Sequence, residues 1–335
     1  MTSPAERKTS VDEELIQHLR KALECGALDY NSPPTPIYGG QDTSIFSFQL
    51  TGAPDAFKGP LILRVFPSGS HPRRALFESK VQNAAAETSY PAPRVRHVCT
   101  DAGVLGAAFI VMDLMPGEPM LTMPAGRISE MLADAHVQLH RIDPASLVEE
   151  LISAGLDKGA FSWPGQFRWF LRSMEDEGLR WTEEGMGWLE KNEPTVPGRL
   201  SICHGDFHPL NVLVENECVS GVLDWSGFLV ADPVYDVATT KVVCEIAAPV
   251  VVTGFDLPRL TREYLDLYRR EIPFEEGRLH YYEAYRVLRA LLEGARGHRI
   301  WTRDEVMRTL ITRFKEITGI EVEPPMGRRT LLESK

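Results

Sequence analysis

Short apolar runs alternate with polar loops between residues 200 and 227, and this stretch constrains the fold more than any other. The first run ends shortly before Asp206, the second begins directly after Asn211, and the third ends at Asp224. Short apolar runs bounded by turn residues predict buried strands. We therefore expect three oxygen-bearing side chains at the ends of short strands, where one loop can hold a metal ion and a reacting hydroxyl.

These three residue types suit phosphoryl transfer. That reaction needs a carboxylate beside the acceptor hydroxyl and a divalent metal on the nucleotide phosphates. Asp206 can be the carboxylate, while Asn211 and Asp224 offer the hard oxygen ligands that Mg²⁺ prefers. Taken singly, Asp and Asn are ordinary turn residues, and His204 could be a satisfied loop histidine. Their order and their shared position at strand ends favour the functional interpretation.

The hydrophobic pattern divides the chain into a sheet-forming part and a helical part. We predict a first helix over residues 11–28, with Ser10 and Glu13 at capping-box spacing. A small antiparallel sheet with one helix follows over about residues 36–113, with strands at 45–50, 61–66, 95–98 and 107–112 and a helix at 73–87. Past residue 120 the periodicity is helical, at 128–140, 146–156, 165–190, 233–247, 258–271, 277–296 and 303–317. Asp232 before Pro233 predicts a capped helix start.

The central stretch also resembles a known family. His204-Gly205-Asp206-Phe-His-Pro-Leu-Asn211, Leu223-Asp224-Trp225 and Asp232-Pro-x-x-Asp236 are similar to the motifs of the aminoglycoside phosphotransferase family. The resemblance implies an α+β, protein-kinase-like fold with two lobes. The expected N-terminal lobe is residues 1–113, the expected helical C-terminal lobe is 114–325 with its catalytic loop at 204–211, and 326–335 is a tail.

By the same resemblance, each motif residue has an expected role. Asp206 is the catalytic base, His204 braces the loop, and Asn211 and Asp224 bind Mg²⁺. Asp236 is expected to be a structural brace, since a carboxylate in the first turn of a helix is favourable in any protein.

The resemblance extends to a nucleotide side in the N-terminal part. Gly39, Gly40 and Ser44 occupy the place of the loop that covers the phosphates, where small residues let backbone N–H groups approach oxygen atoms. Arg64 stands where the family has a lysine; it keeps the charge but differs in shape and reach. Lys58 precedes the strand and is a poor alternative.

An inward arginine in so apolar a strand needs a partner, which favours an Arg64–Glu78 ion pair with Glu87 as the alternative. Met112 and Leu114 fall in the linker that reads the adenine edge. Ile62, Leu213 and Val222 are candidate walls of the adenine pocket, although such residues would be core in any protein.

Composition limits the partners. The net charge of −11 argues against nucleic acid, and no segment is long and apolar enough for a membrane span. Residues 1–113 carry 11 basic and 12 acidic side chains, so nearly all the excess acid lies beyond them, and the acceptor could be cationic. Five widely spaced cysteines predict reduced thiols in a cytoplasm.

We therefore expect an ATP- and Mg²⁺-dependent kinase of a small hydroxylated molecule, such as an aminoglycoside, a macrolide or a metabolite. The alternative is a catalytically silent nucleotide-binding module, because Arg64 replaces the lysine. Candidate acceptor contacts are the acidic and aromatic residues of the late helices, namely Tyr281, Tyr282, Glu283, Tyr285 and Trp301. Asp232-Pro233 follows Asp224 so closely that a protein acceptor is not expected. The sequence leaves open whether the chain is a monomer or a homodimer.

Overall fold

The computed structural model of the chain describes residues 4–37, 43–176, 179–195 and 199–325. The chain divides into two compact units. Unit 1 comprises Met1–Gly117 and Ser220–Leu223, and unit 2 comprises Glu118–Val219 and Asp224–Lys335.

Unit 1 is a five-stranded antiparallel sheet with helices. Along the chain its elements are α1 (Pro4–Ala22), β1 (Asp29–Ile37), β2 (Ser44–Thr51), β3 (Pro60–Val65), α2 (Arg73–Glu87), β4 (Val95–Cys99), α3 (Ala102–Leu105) and β5 (Phe109–Asp113). The strand order is β1-β2-β3-β5-β4, so β3 lies at the centre. The antiparallel sheet with one principal helix is as the sequence predicts.

The alternation of β3 sends its side chains to two different cores. Leu61 and Leu63 are fully buried in a cluster that includes Leu15 and Leu19 of α1. Arg64 projects from the opposite face, because successive side chains of a strand alternate. It meets α2 there, so the central strand carries a charged residue into an interior position.

Two details of unit 1 differ from the expectations. Helix α1 begins at Pro4, so Ser10 lies inside it and is not its N-cap. Strand β1 was not predicted, because Pro33, Pro34 and Pro36 interrupt its pattern. An edge strand tolerates proline since one of its sides needs no ladder hydrogen bonds, and the β1–β2 register is irregular at this place.

Unit 2 is mainly helical. Its elements are β6 (Glu118–Pro119), α4 (Ala125–Arg141), α5 (Pro144–Ser153), α6 (Trp163–Asp176), α7 (Glu183–Lys191), β7 (Ser201–Cys203), β8 (Val212–Glu215), β9 (Cys218–Val222), β10 (Leu229–Ala231), α8 (Pro233–Val242), a π-helix (Val243–Ala247), α9 (Leu257–Glu271), α10 (Glu276–Ala295) and α11 (Asp304–Thr318). The last three residues of β9 belong to unit 1.

One expected helix is in fact two. Residues 165–190 form α6 and α7, with a 3₁₀ turn at Arg180–Thr182 before α7. Glu183 and Glu184 are suited to the start of a new helix because carboxylates stabilise the positive end of its dipole. The predicted start of α8 is confirmed: Asp232 accepts a hydrogen bond from the backbone N–H of Val234, and Pro233 occupies the first turn.

The short strands around the central loop pair locally. β7 and β10 are antiparallel, with Cys203 opposite Leu229. β8 and β9 are neighbours in a sheet of order β6-β8-β9, joined by a tight turn in which Asn216 and Glu217 both have positive φ. No helix within the described ranges is long and apolar enough to cross a bilayer.

Candidate functional site

Two backbone segments of unit 2 are in direct contact at the centre of the site. β7 leads into His204-Gly205-Asp206, and its partner β10 follows the 3₁₀ turn Trp225–Gly227. Gly205 has φ +80°, and a Cβ added to it would lie 1.9 Å from the carbonyl oxygen of Gly227. Only glycine fits at both positions. This close approach fixes the segment that carries Asp206 against the segment that follows Asp224.

A buried carboxylate holds the first segment through its backbone. Asp236, in the first turn of α8, accepts hydrogen bonds from the N–H of His204 at 2.6 Å and from the N–H of Gly205 at 2.8 Å. Thr240, one turn further along α8, donates its hydroxyl to the carbonyl of Phe207 at 2.6 Å. The loop is therefore anchored by its peptide groups, and the partly exposed side chain of Asp206 is not needed to hold it. The geometry of Asp236 is that of the structural brace expected from the sequence.

Two histidines of α4 complete the surroundings of Asp236. His136 Nε2 lies 3.1 Å and His140 Nε2 lies 3.3 Å from its Oδ2. Their Nδ1 atoms are hydrogen-bonded to the hydroxyls of Tyr264 and Tyr268, one turn apart on α9, at 2.7 and 2.6 Å. Each histidine is thus hydrogen-bonded to α9 through its Nδ1, and its Nε2 faces the carboxylate of Asp236.

Burial has opposite effects on these groups. Burial alone would raise the pKa of Asp236, but the interactions with His136 and His140 outweigh it and hold the pKa well below its usual range. Burial and the neighbouring His140 lower the pKa of His136 to about 4. The carboxylate is therefore charged and His136 is neutral at neutral pH.

Asp206 and Asn211 are in direct contact. Asn211 donates its Nδ2 to the backbone carbonyl of Asp206 at 3.0 Å and to the Oδ2 of the same residue at 3.1 Å. His208 Nε2 lies 3.3 Å from that Oδ2. Partial burial would raise the pKa of Asp206, but His208, together with His204 and Arg286, holds it below its usual range. The Asp206 side chain remains 37 % exposed, so an ionised carboxylate faces an accessible volume.

Asp224 is presented by an uncommon backbone conformation. Its φ is +61° and its ψ is +70°, the left-handed region that few residues other than glycine adopt. Strain of this kind concentrates at functional sites. The following Trp225 is fully buried, with its ring 4.8 Å from that of His204, so the two segments are also joined by an aromatic contact. Burial lowers the pKa of His204, as befits a neutral packing residue.

The donor set in this place fits a hard divalent cation. The Nδ2 of Asn211 is directed to Asp206, so its Oδ1 remains as an acceptor, and Asp224 supplies a carboxylate from the adjoining segment. Mg²⁺ keeps several waters and needs only one or two protein oxygens of this kind.

Unit 1 contains the expected charged pair. Arg64 Nη1 lies 3.1 Å from Glu78 Oε2, and both side chains are almost completely buried, so the predicted partner is Glu78. Two further contacts were not predicted: Arg74 Nε donates to the other oxygen of Glu78 at 2.8 Å, and Arg64 Nε donates to the hydroxyl of Thr43 at 3.3 Å. The alternative residue, Glu87, forms an exposed ion pair with Arg94.

The remaining nucleotide-side residues are distributed over several elements. Gly39 and Gly40 lie outside the described residues, and Ser44 is the exposed first residue of β2. Met112 on β5 is opposite the buried Ile62 on β3, and the N–H of the exposed Leu114 donates to the carbonyl of Pro60. Val222 is buried in unit 1, and Leu213 is half-buried on β8 of unit 2. Lys58 pairs with Asp55 on the surface.

The predicted acceptor contacts on the late helices are wrong. All five side chains, namely Tyr281, Tyr282, Glu283, Tyr285 and Trp301, are at most 4 % exposed. The rings of Tyr282 and Tyr285 pack edge-on against Trp163, and Trp301 lies under the guanidinium of Arg286. Glu283 forms ion pairs with Lys241 and Arg313, both at 2.6 Å. Aromatic residues on an amphipathic helix are more often core than ligand contacts, and here they form the core.

Some residues that shape the site were not predicted. His136 and His140 stand four residues apart on an amphipathic helix, a spacing that places both on one face and could have been noticed. His208 lies within the motif but had no assigned role. The contact between Gly205 and Gly227 has no signal in a single sequence, because it depends on two segments meeting in space.

With this geometry in place, comparison with known proteins assigns the family. The phosphotransferase enzyme family matches residues 35–291, well over half of the chain. The chain therefore belongs to the phosphotransferase enzyme family, and the resemblance read from its central motifs is confirmed.

Solved structures with the same fold include a putative aminoglycoside phosphotransferase from Ralstonia eutropha JMP134 (TM-score 0.59, 17 % identity, 93 % of this chain and 99 % of that one). A thermostable mutant of aminoglycoside phosphotransferase APH(4)-Ia, in ternary complex with AMP-PNP and hygromycin B, has a TM-score of 0.56 at 16 % identity. The match covers 91 % of this chain and 98 % of that one. For macrolide 2′-phosphotransferase MphH from Brachybacterium faecium the TM-score is 0.53 at 18 % sequence identity, and the match covers 94 % of this chain and 100 % of that one. These likenesses establish the α+β, protein-kinase-like fold.

Relatives by sequence include acyl-CoA dehydrogenase family member 11 of Homo sapiens, 31 % identical over 174 residues. That match spans 48 % of this chain and 22 % of the relative. The acyl-CoA dehydrogenase relatives are thus matched over about a fifth of their own length.

Proposed function

We propose that the chain is an ATP- and Mg²⁺-dependent kinase that transfers the γ-phosphoryl group to a hydroxyl of a small molecule. The observation that carries this proposal is the contact of Asp206 with Asn211, on a loop whose backbone is held by Asp236 and packed against the segment after Asp224. The AMP-PNP in the APH(4)-Ia complex supports ATP as the donor, and the aminoglycoside and macrolide enzymes of this fold support a hydroxylated acceptor.

In the proposed reaction, Asp206 orients the acceptor hydroxyl and takes its proton. The acceptor oxygen forms a bond to the γ-phosphorus, the bond to the β-phosphate oxygen breaks, and ADP leaves. Asn211 and Asp224 would hold Mg²⁺, which when bound neutralises charge on the phosphates. His204 keeps the loop in place through its buried ring.

Residues of unit 1 would serve the nucleotide. We assign phosphate binding to Arg64, oriented by Glu78 and Thr43, and to the backbone around Gly39, Gly40 and Ser44. Met112, Leu114 and Leu213 are our candidates for contacts with the base. Arginine can grip phosphate with two parallel hydrogen bonds, which supports it as a working substitute for lysine.

The test is ADP release from Mg-ATP with a panel of hydroxylated amines, sugars, macrolides and hygromycin B. We expect ADP release above background with at least one acceptor, and we expect Asp224→Ala to abolish Mg²⁺-dependent nucleotide binding. An Asp224→Ala variant that still binds Mg-ATP normally would contradict the metal assignment. No ADP with any acceptor, together with no ATP-induced thermal shift, would refute the kinase.

A silent nucleotide-binding module is the second candidate, and the engagement of Arg64 by Glu78 and Thr43 is the observation that favours it. The same assay distinguishes the kinase from the silent module. A thermal shift with Mg-ATP but no ADP release with any acceptor would support the module.

A further inference from the structure

Three buried side chains of unit 2 offer ligand atoms for a cation at one point of its interior. They are His136 and His140 of α4 and Asp236 of α8, and one ligand atom of each lies within 4.8 Å of those of the other two. The Nε2 atoms of the histidines lie 3.1 and 3.3 Å from Asp236 Oδ2. The three side chains are thus close enough to share one ion.

The two histidines come from one turn of α4. His-Val-Gln-Leu-His places His136 and His140 four residues apart, on one face of the helix. Metalloprotease helices present two nitrogen ligands to zinc with the same spacing. Hydrogen-bonded core histidines can also have it, so the spacing alone does not assign a metal. The assignment depends on the hydrogen bonds around the carboxylate.

The oxygen that faces both histidines has too few lone pairs for all its neighbours. Asp236 Oδ2 accepts a hydrogen bond from the N–H of His204 at 2.6 Å and is hydrogen-bonded to His140 Nε2 at 3.3 Å. Each oxygen of an ionised carboxylate has about two lone-pair sites, so these two contacts use both. His136 Nε2 is buried and, among the described residues, has no hydrogen-bond partner, although it lies beside the same oxygen.

A divalent cation would satisfy this nitrogen without disturbing the loop anchor. A buried polar atom without a hydrogen bond is costly, and such an atom in a native protein indicates a ligand or ion beside it. With the ion bound, both Nε2 atoms and one lone pair of Asp236 Oδ2 coordinate it. The second lone pair of Oδ2 keeps the hydrogen bond from the N–H of His204.

The tyrosines of α9 fit the same arrangement. When Nε2 binds a metal, a neutral imidazole carries its proton on Nδ1. The Nδ1 atoms of His136 and His140 are 2.7 and 2.6 Å from the hydroxyl oxygens of Tyr264 and Tyr268, which can accept these protons. Metal-binding histidines almost always donate from their other ring nitrogen, and this contact fixes the orientation of the ring.

The ligand atoms indicate which metal fits. Two imidazole nitrogens and one carboxylate suit Zn²⁺, whereas Mg²⁺ prefers oxygen ligands. Zinc binds such ligands at about 2.0–2.2 Å, so two ligands of a tetrahedral ion lie roughly 3.3–3.5 Å apart. The observed separations of 3.1 and 3.3 Å need only a small adjustment to reach that geometry.

We propose that His136, His140 and Asp236 form a structural Zn²⁺ site that joins α4 to α8 beside the anchored loop. The site shares no ligand with the proposed Mg²⁺ site of Asn211 and Asp224, and it does not depend on the kinase reaction. Because the ligands are buried, the ion is taken up as the chain folds, and its binding adds to the stability of unit 2.

The test is refolding of the full, metal-stripped chain from urea with or without Zn²⁺, with Mg²⁺ in excess to occupy the other proposed site. We expect one zinc ion per chain after gel filtration, measured by elemental analysis, and a higher urea midpoint with zinc than without it. X-ray absorption should show imidazole nitrogens at about 2.0–2.1 Å from the retained ion. No retained zinc, or retained zinc without imidazole ligands, would overturn the site.

Two pairs of variants locate the ion. His136→Gln removes a ligand and should abolish zinc retention, whereas His280→Gln, at an exposed position of α10, should preserve it. Tyr264→Phe keeps all three ligands and removes only the hydroxyl beside His136 Nδ1, and it should weaken zinc binding about 10–100-fold in competition with a chelator.

The matched control for Tyr264→Phe is Tyr281→Phe. Tyr281 is a buried tyrosine of α10 whose hydroxyl has no hydrogen-bond partner in the part of the chain that the structure describes. Its loss should leave the zinc affinity unchanged. Zinc retention in His136→Gln equal to wild type, or a wild-type affinity in Tyr264→Phe, would overturn the assignment.

Discussion

The two charged centres of this chain are built in opposite ways. In unit 1, Arg64 and Glu78 are buried and hold each other by their side chains, with Arg74 as a second cation on the same carboxylate. In unit 2, the loop is held by its backbone, through Asp236 and Thr240. The first arrangement orients Arg64 through side-chain contacts, and the second leaves the partly exposed carboxylate of Asp206 to act on other molecules. In unit 2, the residues that hold the loop, Asp236 and Thr240, are therefore different from the residue that would react, Asp206.

The largest expected effect is the loss of the residue that holds the loop. Asp236→Ala leaves two backbone N–H groups and two histidines without their carboxylate, and we expect the free energy of unfolding of unit 2 to fall by about 3–5 kcal/mol. All six tryptophans of the chain lie in unit 2, so tryptophan fluorescence during urea unfolding reports on that unit. Asp266→Ala, at an exposed position of α9, is the matched control and should change stability by less than about 0.5 kcal/mol.

Replacing the proposed reacting carboxylate should lower turnover and leave stability unchanged. Asp206→Asn should reduce turnover by at least about 10²-fold, as expected for a lost general base, while ATP binding and the urea midpoint stay close to wild type. The paired measurement is kcat together with fluorescence-detected unfolding. A large loss of stability in Asp206→Asn would show that this residue also holds the loop, as Asp236 does.

The charged pair of unit 1 can be tested by removing each cation in turn. We expect Arg64→Met to raise the Kd of Mg-ATP about tenfold, because a charged hydrogen bond to phosphate is lost. Arg74 binds the same glutamate but is 37 % exposed, so Arg74→Ala should change the Kd by less than about threefold. Equal effects of the two variants, measured by calorimetry, would show that Arg64 acts only through Glu78.

The last prediction concerns the pH dependence of stability. The pKa of His136 is about 4 in the folded chain and near 6.5 when unfolded, so the unfolded state binds the extra proton. Stability of unit 2 should therefore fall as the pH drops from 6.5 towards 4, by up to about 1.4 kcal/mol per pH unit from this group. His136→Gln should flatten that slope, and a slope unchanged in the variant would mean that other groups titrate there.

The sequence alone was sufficient to predict the positions of the residues that share a short motif. Asp206, Asn211 and Asp224 were placed at strand ends from local apolar runs, and β7, β8 and β9 do end or begin beside them. The start of α8 followed from Asp232-Pro233, and the partner of Arg64 followed from the cost of burying an unpaired charge. These predictions depend on short-range patterns or on one strong energetic rule, and such information is present in the chain itself.

Only the tertiary structure decided which polar side chains are buried and which remain exposed. Glu283 and its aromatic neighbours looked like acceptor contacts on a helix, yet their partners Lys241, Arg313 and Trp163 come from distant segments and bury them. The close contact of Gly205 with Gly227 and the histidines around Asp236 likewise depend on residues that meet only in space. A sequence determines the periodicity of each element, but burial is a property of the packed whole.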